Sequence, residues 1–372
     1  MTGEPGLSSA PAVQDLPAPT NSVAFELVTV TTGLANPWGL AFLPDASMLV
    51  TERLGHLRRI SPTGELDPTP VAGVPEVVAQ GQGGLLDVIV DPEFEQNQVI
   101  YLSYAAAGSG GAGTRVARAQ LTDQGLENLT ILLDMDRKTN AGVHFGSRLT
   151  FGADGFLYVG TGDRGDRDRA QDLNDFAGKV LRVDPTGAIP ADNPFASQPE
   201  VASQPEAAAA VYSWGHRNIQ GLATHPDTGE VWAHEHGPRG GDEINRIAPS
   251  LNYGWPLITY GREYSGSQVG QGISAQAGLE QPVVHWTPSV APSGMTFYTG
   301  DAFPDWRGDL FVGALAGQHL ARLQMEGERV IGHERLLDQQ VGRIRDVRTG
   351  PDGFLYLLTD DPNGSLLRLE PL

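Results

Sequence analysis

Short, dense runs of apolar residues recur six times along the chain, and each ends in small or polar residues. The runs are rich in β-forming residues and are too short for helices, so each predicts a strand. Turns rich in Gly, Asp or Asn precede most of them, and successive runs start roughly 45–80 residues apart, a blade-like spacing with inserted loops. The six runs cover residues 48–52, 99–103, 156–160, 230–234, 310–313 and 354–358.

Six similar units of this kind predict an all-β fold, because none can bury its own faces and all must pack radially. We therefore expect a six-bladed β-propeller with four-stranded blades and inserted loops, whose functional site lies at the mouth of the central channel. Residues 188–210 are expected to form one inserted loop, with a short alanine-rich helix candidate at residues 206–210. Residues 1–22, rich in Pro, Ala, Ser and Thr, predict a flexible lead-in, and residues 23–372 predict the propeller domain.

Composition and charge narrow the classes of partner. The 372 residues carry 45 acidic and 25 basic side chains, a formal net charge of -20. Nucleic acid and anionic membrane surfaces both need a basic face, so neither is expected as a partner. The chain has no cysteine, which excludes disulfides and thiolate metal sites. No apolar run approaches the ~18 residues of a membrane span, so membrane insertion is not expected either. The sequence suggests no long exposed apolar edge, which favours a monomer.

Two residues near glycines are the first candidates for chemistry. Gln82 stands among three glycines, which predicts either a tight backbone path that presents its amide or an ordinary turn between blades. His144 precedes a predicted strand, and its side chain could act as a general base because imidazole titrates near neutral pH. A lone histidine is more often a structural hydrogen-bonding group, so both interpretations stay open at this point.

Three arginines suggest an anionic ligand. Arg217 and Asn218 stand between glycines and combine a forked cation with an amide, which suits a carboxylate, although Arg217 could equally fix a loop. Arg343 and Arg345 are two residues apart and therefore lie on one face of a predicted strand. Two like charges side by side favour a polycarboxylate ligand, unless Asp346 and neighbouring acids neutralise them.

Two segments offer oxygen ligands for a hard cation. The turn at Gly237 and Pro238 can direct consecutive carbonyl oxygens towards an ion such as Ca²⁺. The acidic turn at residues 163–172 offers carboxylates but lacks the spacing of the helix–loop–helix calcium loop. For that turn, bound calcium and local salt bridges both remain open.

The order and joint presence of these motifs resemble the soluble, pyrroloquinoline quinone (PQQ)-dependent aldose sugar dehydrogenases of the glucose/sorbosone dehydrogenase family, whose fold is a six-bladed propeller. The resemblance extends from about Val28 to Leu369. The shared motifs are Asn36-Pro37-Trp38-Gly39-Leu40, Gly81-Gln82-Gly83-Gly84-Leu85-Leu86, Gly178-Lys179-Val180-Leu181-Arg182, Asp192-Asn193-Pro194-Phe195, Gly215-His216-Arg217-Asn218, His236-Gly237-Pro238, Gly241-Asp242-Glu243-Ile244-Asn245, Asn252-Tyr253-Gly254-Trp255-Pro256, Ala291-Pro292-Ser293-Gly294 and Arg343-Ile344-Arg345-Asp346.

The resemblance implies a role for each matching residue. His144 would be the general base that takes the proton of the C1 hydroxyl of a cyclic aldose, while the C1 hydride passes to PQQ. Ca²⁺, held by the carbonyls of Gly237 and Pro238, would polarise the accepting carbonyl together with Arg217. The product would be an aldonolactone, with electrons passed to an external acceptor, in the periplasm or outside the cell. The residues implied to contact PQQ are Gln82, Arg217, Asn218, Arg343, Arg345 and Asp360.

Two positions depart from the glucose dehydrogenase branch of the family. Ala316 stands where that branch has a lysine, and Val143 stands where it has an aspartate, and both differences favour the aldose sugar dehydrogenase branch.

Two other functions remain as alternatives to sugar oxidation. A calcium-dependent propeller hydrolase of the lactonase type shares the metal and the channel but has no need of paired arginines. A non-catalytic binding propeller has no need of His144.

Overall fold

The computed structural model describes residues 9–196 and 205–372, and within these ranges 23 strands form six antiparallel sheets. Two short α-helices, α1 (Phe94–Asn97) and α2 (Pro205–Ala210), and three single turns of 3₁₀ helix at Val13–Asp15, Arg167–Gln171 and Pro304–Trp306 complete the regular elements. The strands are β1 (Phe25–Leu34), β2 (Pro37–Phe42), β3 (Met48–Glu52), β4 (His56–Ile60), β5 (Leu85–Val90), β6 (Val99–Gly108), β7 (Gly111–Thr122), β8 (Gly125–Asp134), β9 (Gly146–Phe151), β10 (Leu157–Thr161), β11 (Lys179–Val183), β12 (Val211–Trp214), β13 (Ile219–Thr224), β14 (Val231–Glu235), β15 (Asp242–Arg246), β16 (Val284–Trp286), β17 (Pro292–Phe297), β18 (Leu310–Ala314), β19 (Leu320–Glu326), β20 (Arg329–Leu336), β21 (Ile344–Thr349), β22 (Leu355–Thr359) and β23 (Gly364–Pro371).

The sheets are the blades of a closed ring. The innermost strands are β2, β5, β9, β13, β17 and β21; each contacts the next, and β21 contacts β2. In the last blade the order is β1-β23-β22-β21, so the first strand of the chain forms its outer edge. Hydrogen bonds between β1 and β23 thus fasten the two ends of the chain together. The predicted six-bladed β-propeller is confirmed.

All six apolar runs of the sequence occupy the same place in their blades. They overlap β3, β6, β10, β14, β18 and β22, which are the second strands of the six sheets. All five residues of β3, of β10 and of β22 are buried, because neighbouring blades cover both faces of these strands. Burial on both faces produces a continuous apolar run instead of an alternating one, which explains why these strands gave the strongest pattern.

The first blade departs from the expected four strands. Five sheets have four strands, but the sheet β2-β3-β4 has three in the described part of the chain. Residues 66–71 run beside β4 and make only scattered bonds to it, from the Asp67 amide to the Arg59 carbonyl at 2.9 Å and from the Val71 amide to the Leu57 carbonyl at 2.8 Å. Prolines at positions 68 and 70 have no amide hydrogen, so this segment cannot form a regular ladder.

The segment before β1 packs against the ring. Residues 1–8 of the predicted flexible lead-in lie outside the described residues, but Val13 is fully buried between two blades. The amide of His285 in β16 donates to the Pro11 carbonyl at 3.1 Å, and that of His333 in β20 donates to the Pro17 carbonyl at 2.9 Å. Residues 9–22 therefore cover the outer edges of two blades, while the domain boundary at residue 23 stays a prediction.

The insertion predicted at residues 188–210 contains α2, whose position matches the expected helix, whereas residues 197–204 fall outside the described residues. None of the helices in the described ranges is long and apolar enough to cross a membrane.

Candidate active site

A cavity of about 260 Å³ opens where the inner strands begin. Each inner strand contributes a residue at or next to its first position, so the cavity lies at one end of the central channel. This is the place where a propeller fold is expected to have its site. The six residues are Trp38, Leu86, Gly146, Gln220, Ala291 and Arg345. A larger groove of about 980 Å³ lies between the first two blades, but none of the candidate site residues lines it.

Most of the predicted cofactor residues meet in this cavity. Five of them line it, whereas Arg217 and Gly237 border a small adjoining void that shares His236 with the main cavity. His144 adjoins the cavity wall, because its amide donates to Gln82 Oε1 at 2.7 Å. The five lining residues are Gln82, Asn218, Arg343, Arg345 and Asp360.

The paired arginines share one carboxylate, and it is not the one that the sequence suggested. Arg343 Nη2 lies 2.7 Å from Asp360 Oδ2, and Arg345 Nη2 lies 3.2 Å from Asp360 Oδ1. Asp346 instead pairs with Arg148 and belongs to the channel below. Burial raises the cost of ionising Asp360, but the two arginines outweigh it and hold its pKa below the ordinary value. One aspartate against two arginines leaves an excess of positive charge.

His144 is held by a buried aspartate. Its Nδ1 lies 2.6 Å from Asp163 Oδ1, and Trp255 Nε1 donates to Asp163 Oδ2 at 2.8 Å. Strand register explains the meeting, because Thr161 of β10 pairs with Gly146 of β9, and His144 and Asp163 lie two residues beyond that pair. In the sequence Asp163 stands out only as part of an acidic turn. The register of the hairpin formed by β9 and β10 is the signal that would have predicted its contact with His144.

Electrostatics fixes the protonation of this pair. Burial lowers the pKa of His144 below 6.5, and the nearby Arg217 cation lowers it further, although Asp163 opposes both effects. Burial disfavours the Asp163 carboxylate, but the bond to His144 outweighs this and the Asp163 pKa is below its ordinary value. At neutral pH the pair is therefore a neutral imidazole beside a carboxylate. Nδ1 carries the hydrogen donated to Asp163, so Nε2 keeps a free lone pair.

The backbone at His144 is also unusual. Its φ angle is 53°, in the left-handed region that residues other than glycine rarely adopt. The backbone of Gly162 approaches closely, since a β-carbon there would lie 2.2 Å from the His144 carbonyl oxygen. Strained residues of this kind are concentrated at functional sites, where the surrounding structure holds them in place.

Arg217 is fixed by three carbonyl and carboxylate contacts. Its amide donates to Glu235, and its Nη1 donates to the carbonyls of His236 at 3.0 Å and Gly237 at 2.8 Å. Its guanidinium also lies over the Trp255 ring, 5.3 Å from the centroid. The side chain is therefore held close to both His144 and the Gly237–Pro238 turn.

The predicted calcium turn offers backbone oxygens only. Gly237 must be glycine, because a β-carbon there would lie 2.1 Å from the Gly240 carbonyl. The neighbouring Asp242 carboxylate accepts from the Gly237 amide and from residues 289–291, so both of its oxygens are already engaged. Burial raises the pKa of Asp242 to about 6. Within the described residues, the turn thus presents neutral carbonyls, one of which already accepts a bond from Arg217.

The acidic turn at residues 163–172 is tied by ion pairs. Arg137 lies 3.0 Å from Asp172 and 2.9 Å from Asp175, and Arg169 lies 2.7 Å from Asp175. Asp163 serves His144. The salt-bridge interpretation therefore accounts for this segment better than a calcium loop does.

A second cluster of charges, which we call the channel cluster, fills the centre of the ring. Arg148 lies 3.0 Å from Asp87 and 3.2 Å from Asp346, while Arg348 lies 3.4 Å from Asp87 and 3.2 Å from Asp346. Both aspartates and Arg148 are fully buried. A β-carbon at Gly294 would lie 2.0 Å from Asp346 Oδ1, so the backbone reaches close to the cluster. Sequence reasoning did not find it.

Known proteins match this chain along most of its length. The family model described as Glucose / Sorbosone dehydrogenase matches residues 34–368. The chain belongs to the glucose/sorbosone dehydrogenase family. Its members are sugar-oxidising oxidoreductases, which agrees with the resemblance noted in the sequence.

One relative in sequence and two solved structures show how close the similarity is. The aldose sugar dehydrogenase YliI of Escherichia coli is 45% identical over 344 residues, which cover 91% of each chain. The apo-form crystal structure of the soluble aldose sugar dehydrogenase from Escherichia coli superposes with a TM-score of 0.88 at 42% identity, covering 94% of this chain and 100% of that one. The PQQ-bound aldose sugar dehydrogenase from Streptomyces coelicolor superposes with a TM-score of 0.77 at 29% identity, covering 94% and 99%.

Proposed function

We propose that this member of the family oxidises aldose sugars at C1 to aldonolactones, using PQQ and calcium, with His144 as the general base. The observation that carries the proposal is the neutral His144, whose Nε2 is left free by the bond from Nδ1 to Asp163, beside a cavity with excess positive charge. The PQQ in the 29% identical relative from Streptomyces coelicolor supports the cofactor assignment. The external acceptor, the periplasmic or extracellular location and the monomeric state stay predictions.

The donor set of the cavity fits a flat, polyanionic quinone. Arg343 and Arg345 offer guanidinium groups suited to carboxylates, and Gln82 and Asn218 offer amide groups. Trp38 lies in the cavity wall, with Arg345 5.8 Å from its ring centroid. An aromatic surface and forked cations together would hold an aromatic polycarboxylate better than they would hold a neutral sugar alone.

The residues of the chain would divide the work as follows. When bound, PQQ would supply a quinone that accepts two electrons from C1 of the sugar in the form of a hydride. Nε2 of His144 takes the proton of the C1 hydroxyl, and Asp163 stabilises the imidazolium that results. Arg217, held by the His236 and Gly237 carbonyls, places a fixed positive charge where negative charge would develop.

Calcium at Gly237 and Pro238 would need oxygen ligands that this turn does not supply. Ca²⁺ takes 6–8 oxygen ligands, and two neutral carbonyls beside the Arg217 cation are a poor site on their own. The negative charge and oxygen atoms of a bound cofactor would offset both deficits. We therefore propose that the metal binds tightly here only together with PQQ, and weakly to the protein alone.

A spectral experiment tests the proposed function directly. Purified protein is mixed with PQQ and Ca²⁺, and an aldose is then added. We expect the spectrum of bound quinone, followed by bleaching when the sugar reduces it. Lactone hydrolysis without a bound-quinone spectrum would instead support the hydrolase, and quinone binding without bleaching would support a binding propeller.

Replacing His144 tests the base. His144→Gln should lower turnover by about 10²–10⁴-fold, the usual contribution of general-base catalysis, while PQQ binding stays close to that of the wild type. Steady-state kinetics and a PQQ titration measure the two effects. His56→Gln is a matched control, because His56 is an exposed histidine with its side chain 53% accessible. Near wild-type sugar oxidation by His144→Gln would remove the assigned role.

The pH profile tests the Asp163 contact. The base must be neutral, so kcat should fall only as the pH drops below a His144 pKa that lies under 6.5. Asp163 raises that pKa, so Asp163→Asn should move the acid limb to lower pH and also reduce kcat, because the imidazolium loses its carboxylate. Asp166→Asn, at an exposed position of the same turn, should leave the limb in place. An unchanged acid limb in Asp163→Asn would contradict the assignment.

A further inference from the structure

Arg53 is a cation in the cavity wall whose role neither the motifs nor the comparisons assign. It follows the last residue of β3, is half-buried, and lines the same cavity as Gln82 and Asn218. Its Nε donates to the Gly83 carbonyl at 3.4 Å, and its Nη2 donates to the Gly81 carbonyl. These two bonds leave Nη1 available, and in residues 9–196 and 205–372 no carboxylate lies within ion-pair distance of the Arg53 guanidinium.

The charge balance of the cavity wall indicates what Arg53 could bind. The charged lining residues are three arginines and one aspartate, and Asp360 is shared by Arg343 and Arg345. The wall therefore carries an excess of two positive charges, in a chain whose net charge is -20. An excess of cations that the protein leaves unpaired indicates an anionic ligand.

We propose that Arg53 binds a carboxylate of the anionic cofactor through Nη1, as a third cationic contact beside Arg343 and Arg345. The inference rests on the proposed function for the nature of the ligand. Because Nε and Nη2 hold the glycine loop at residues 81–83, the same guanidinium orders the loop that presents Gln82. Arg53 thus joins the ligand charge to the position of an amide that also bonds the His144 backbone.

A charge-selective titration tests this assignment. PQQ and its uncharged trimethyl ester are titrated into the calcium-containing protein, as wild type, Arg53→Gln and Arg53→Lys, and apo-protein melting temperatures are recorded. Glutamine places its amide nitrogen where Arg53 has Nε, so it can still donate to the Gly83 carbonyl, but it carries no charge. We expect Arg53→Gln to weaken PQQ binding about 10–100-fold, the range for a charge-assisted hydrogen bond, while the loss of the bond to Gly81 lowers the melting temperature only slightly. Arg53→Lys should recover part of the loss.

The ester and a control arginine separate charge from loop order. The ester should bind wild type and Arg53→Gln equally, and Arg59→Gln, on the same blade but in the groove away from the site, should leave PQQ affinity unchanged. Wild-type PQQ affinity in Arg53→Gln, or equal weakening of PQQ and ester, would overturn the inference. Absence of PQQ binding by the wild type would overturn the proposed function itself, which is a different result.

Discussion

Two clusters of arginine and aspartate lie along the axis of this propeller, and their charge balance differs. The channel cluster has two arginines and two aspartates, each within 3.4 Å of a partner of opposite charge. The cluster at the cavity, which we call the mouth cluster, has three arginines and one aspartate. Its members are Arg53, Arg343, Arg345 and Asp360.

Exposure overlaps between the two clusters, so charge balance is what separates them. The side chains of Arg148 and Arg348 in the channel are 1% and 18% accessible, and those of Arg345 and Arg343 at the mouth are 9% and 46% accessible. A buried charge must be paired, because its desolvation is costly. A charge that faces an open cavity can be hydrated while no ligand is bound, so it needs no partner in the protein. The comparison separates arginines that stabilise the ring from arginines that would bind an anion, although both types look alike in the sequence.

Removing two arginines from the mouth cluster should strongly weaken the binding of PQQ. Replacing Arg343 and Arg345 together with Ala should weaken PQQ binding by roughly 10²–10⁴-fold, because two charge-assisted contacts of about 1.5–3 kcal/mol each are lost. The melting temperature of the apo-protein should change only slightly, because these side chains line the cavity. A PQQ titration and thermal denaturation measure the two quantities. Strong apo destabilisation with an unchanged titration would mean that the arginines serve Asp360 instead of a ligand.

The channel cluster should show the opposite pattern. Asp87→Asn leaves Arg148 and Arg348 with one carboxylate between them, and removing one partner of a buried ion pair costs about 3–5 kcal/mol. Denaturant unfolding of the apo-protein should reveal that loss, with Arg343→Gln as the half-exposed control. PQQ affinity per folded molecule should be preserved. A wild-type unfolding midpoint in Asp87→Asn would end the distinction between the two clusters.

The sequence predicted residues of the mouth cluster but not the channel cluster. The second strands of the blades were visible as apolar runs, and the mouth residues Arg343 and Arg345 were visible because their spacing of two places them on one face. The channel cluster was not, because Asp87, Arg148 and Arg348 lie on three separate positions along the chain and meet only when the ring closes. Long-range pairing of this kind leaves no local pattern.

The local sequence pattern also did not identify which acid pairs with which basic side chain. The sequence offered Asp346 as the acid beside Arg345, but Asp346 pairs with Arg148 and Arg348 in the channel. The acid that pairs with the arginines, Asp360, is on the next strand segment and was identified only through the family resemblance. In the same way, Asp163 was noticed as an acid but not as the partner of His144.

Calcium alone should affect the protein very little. The mouth offers Gly237 and Pro238 carbonyls with the Arg217 cation beside them, so Ca²⁺ without PQQ should bind weakly. An ion present near its dissociation constant stabilises the folded state by about 0.4 kcal/mol, so the melting temperature should barely move. With PQQ present, each ligand should tighten the binding of the other by the same factor, as linkage requires.

The experiment counts bound metal and measures melting temperature in four samples, with and without Ca²⁺ and with and without PQQ. Chelation should abolish sugar oxidation, and Ca²⁺ should restore it only when PQQ is also present. Zinc should not replace calcium, because it favours four close nitrogen or sulfur ligands that the Gly237–Pro238 turn lacks. Activity that survives exhaustive chelation, or a tight metal site in the apo-protein, would show that the mouth does not depend on its ligand to complete the charge balance that the channel already has.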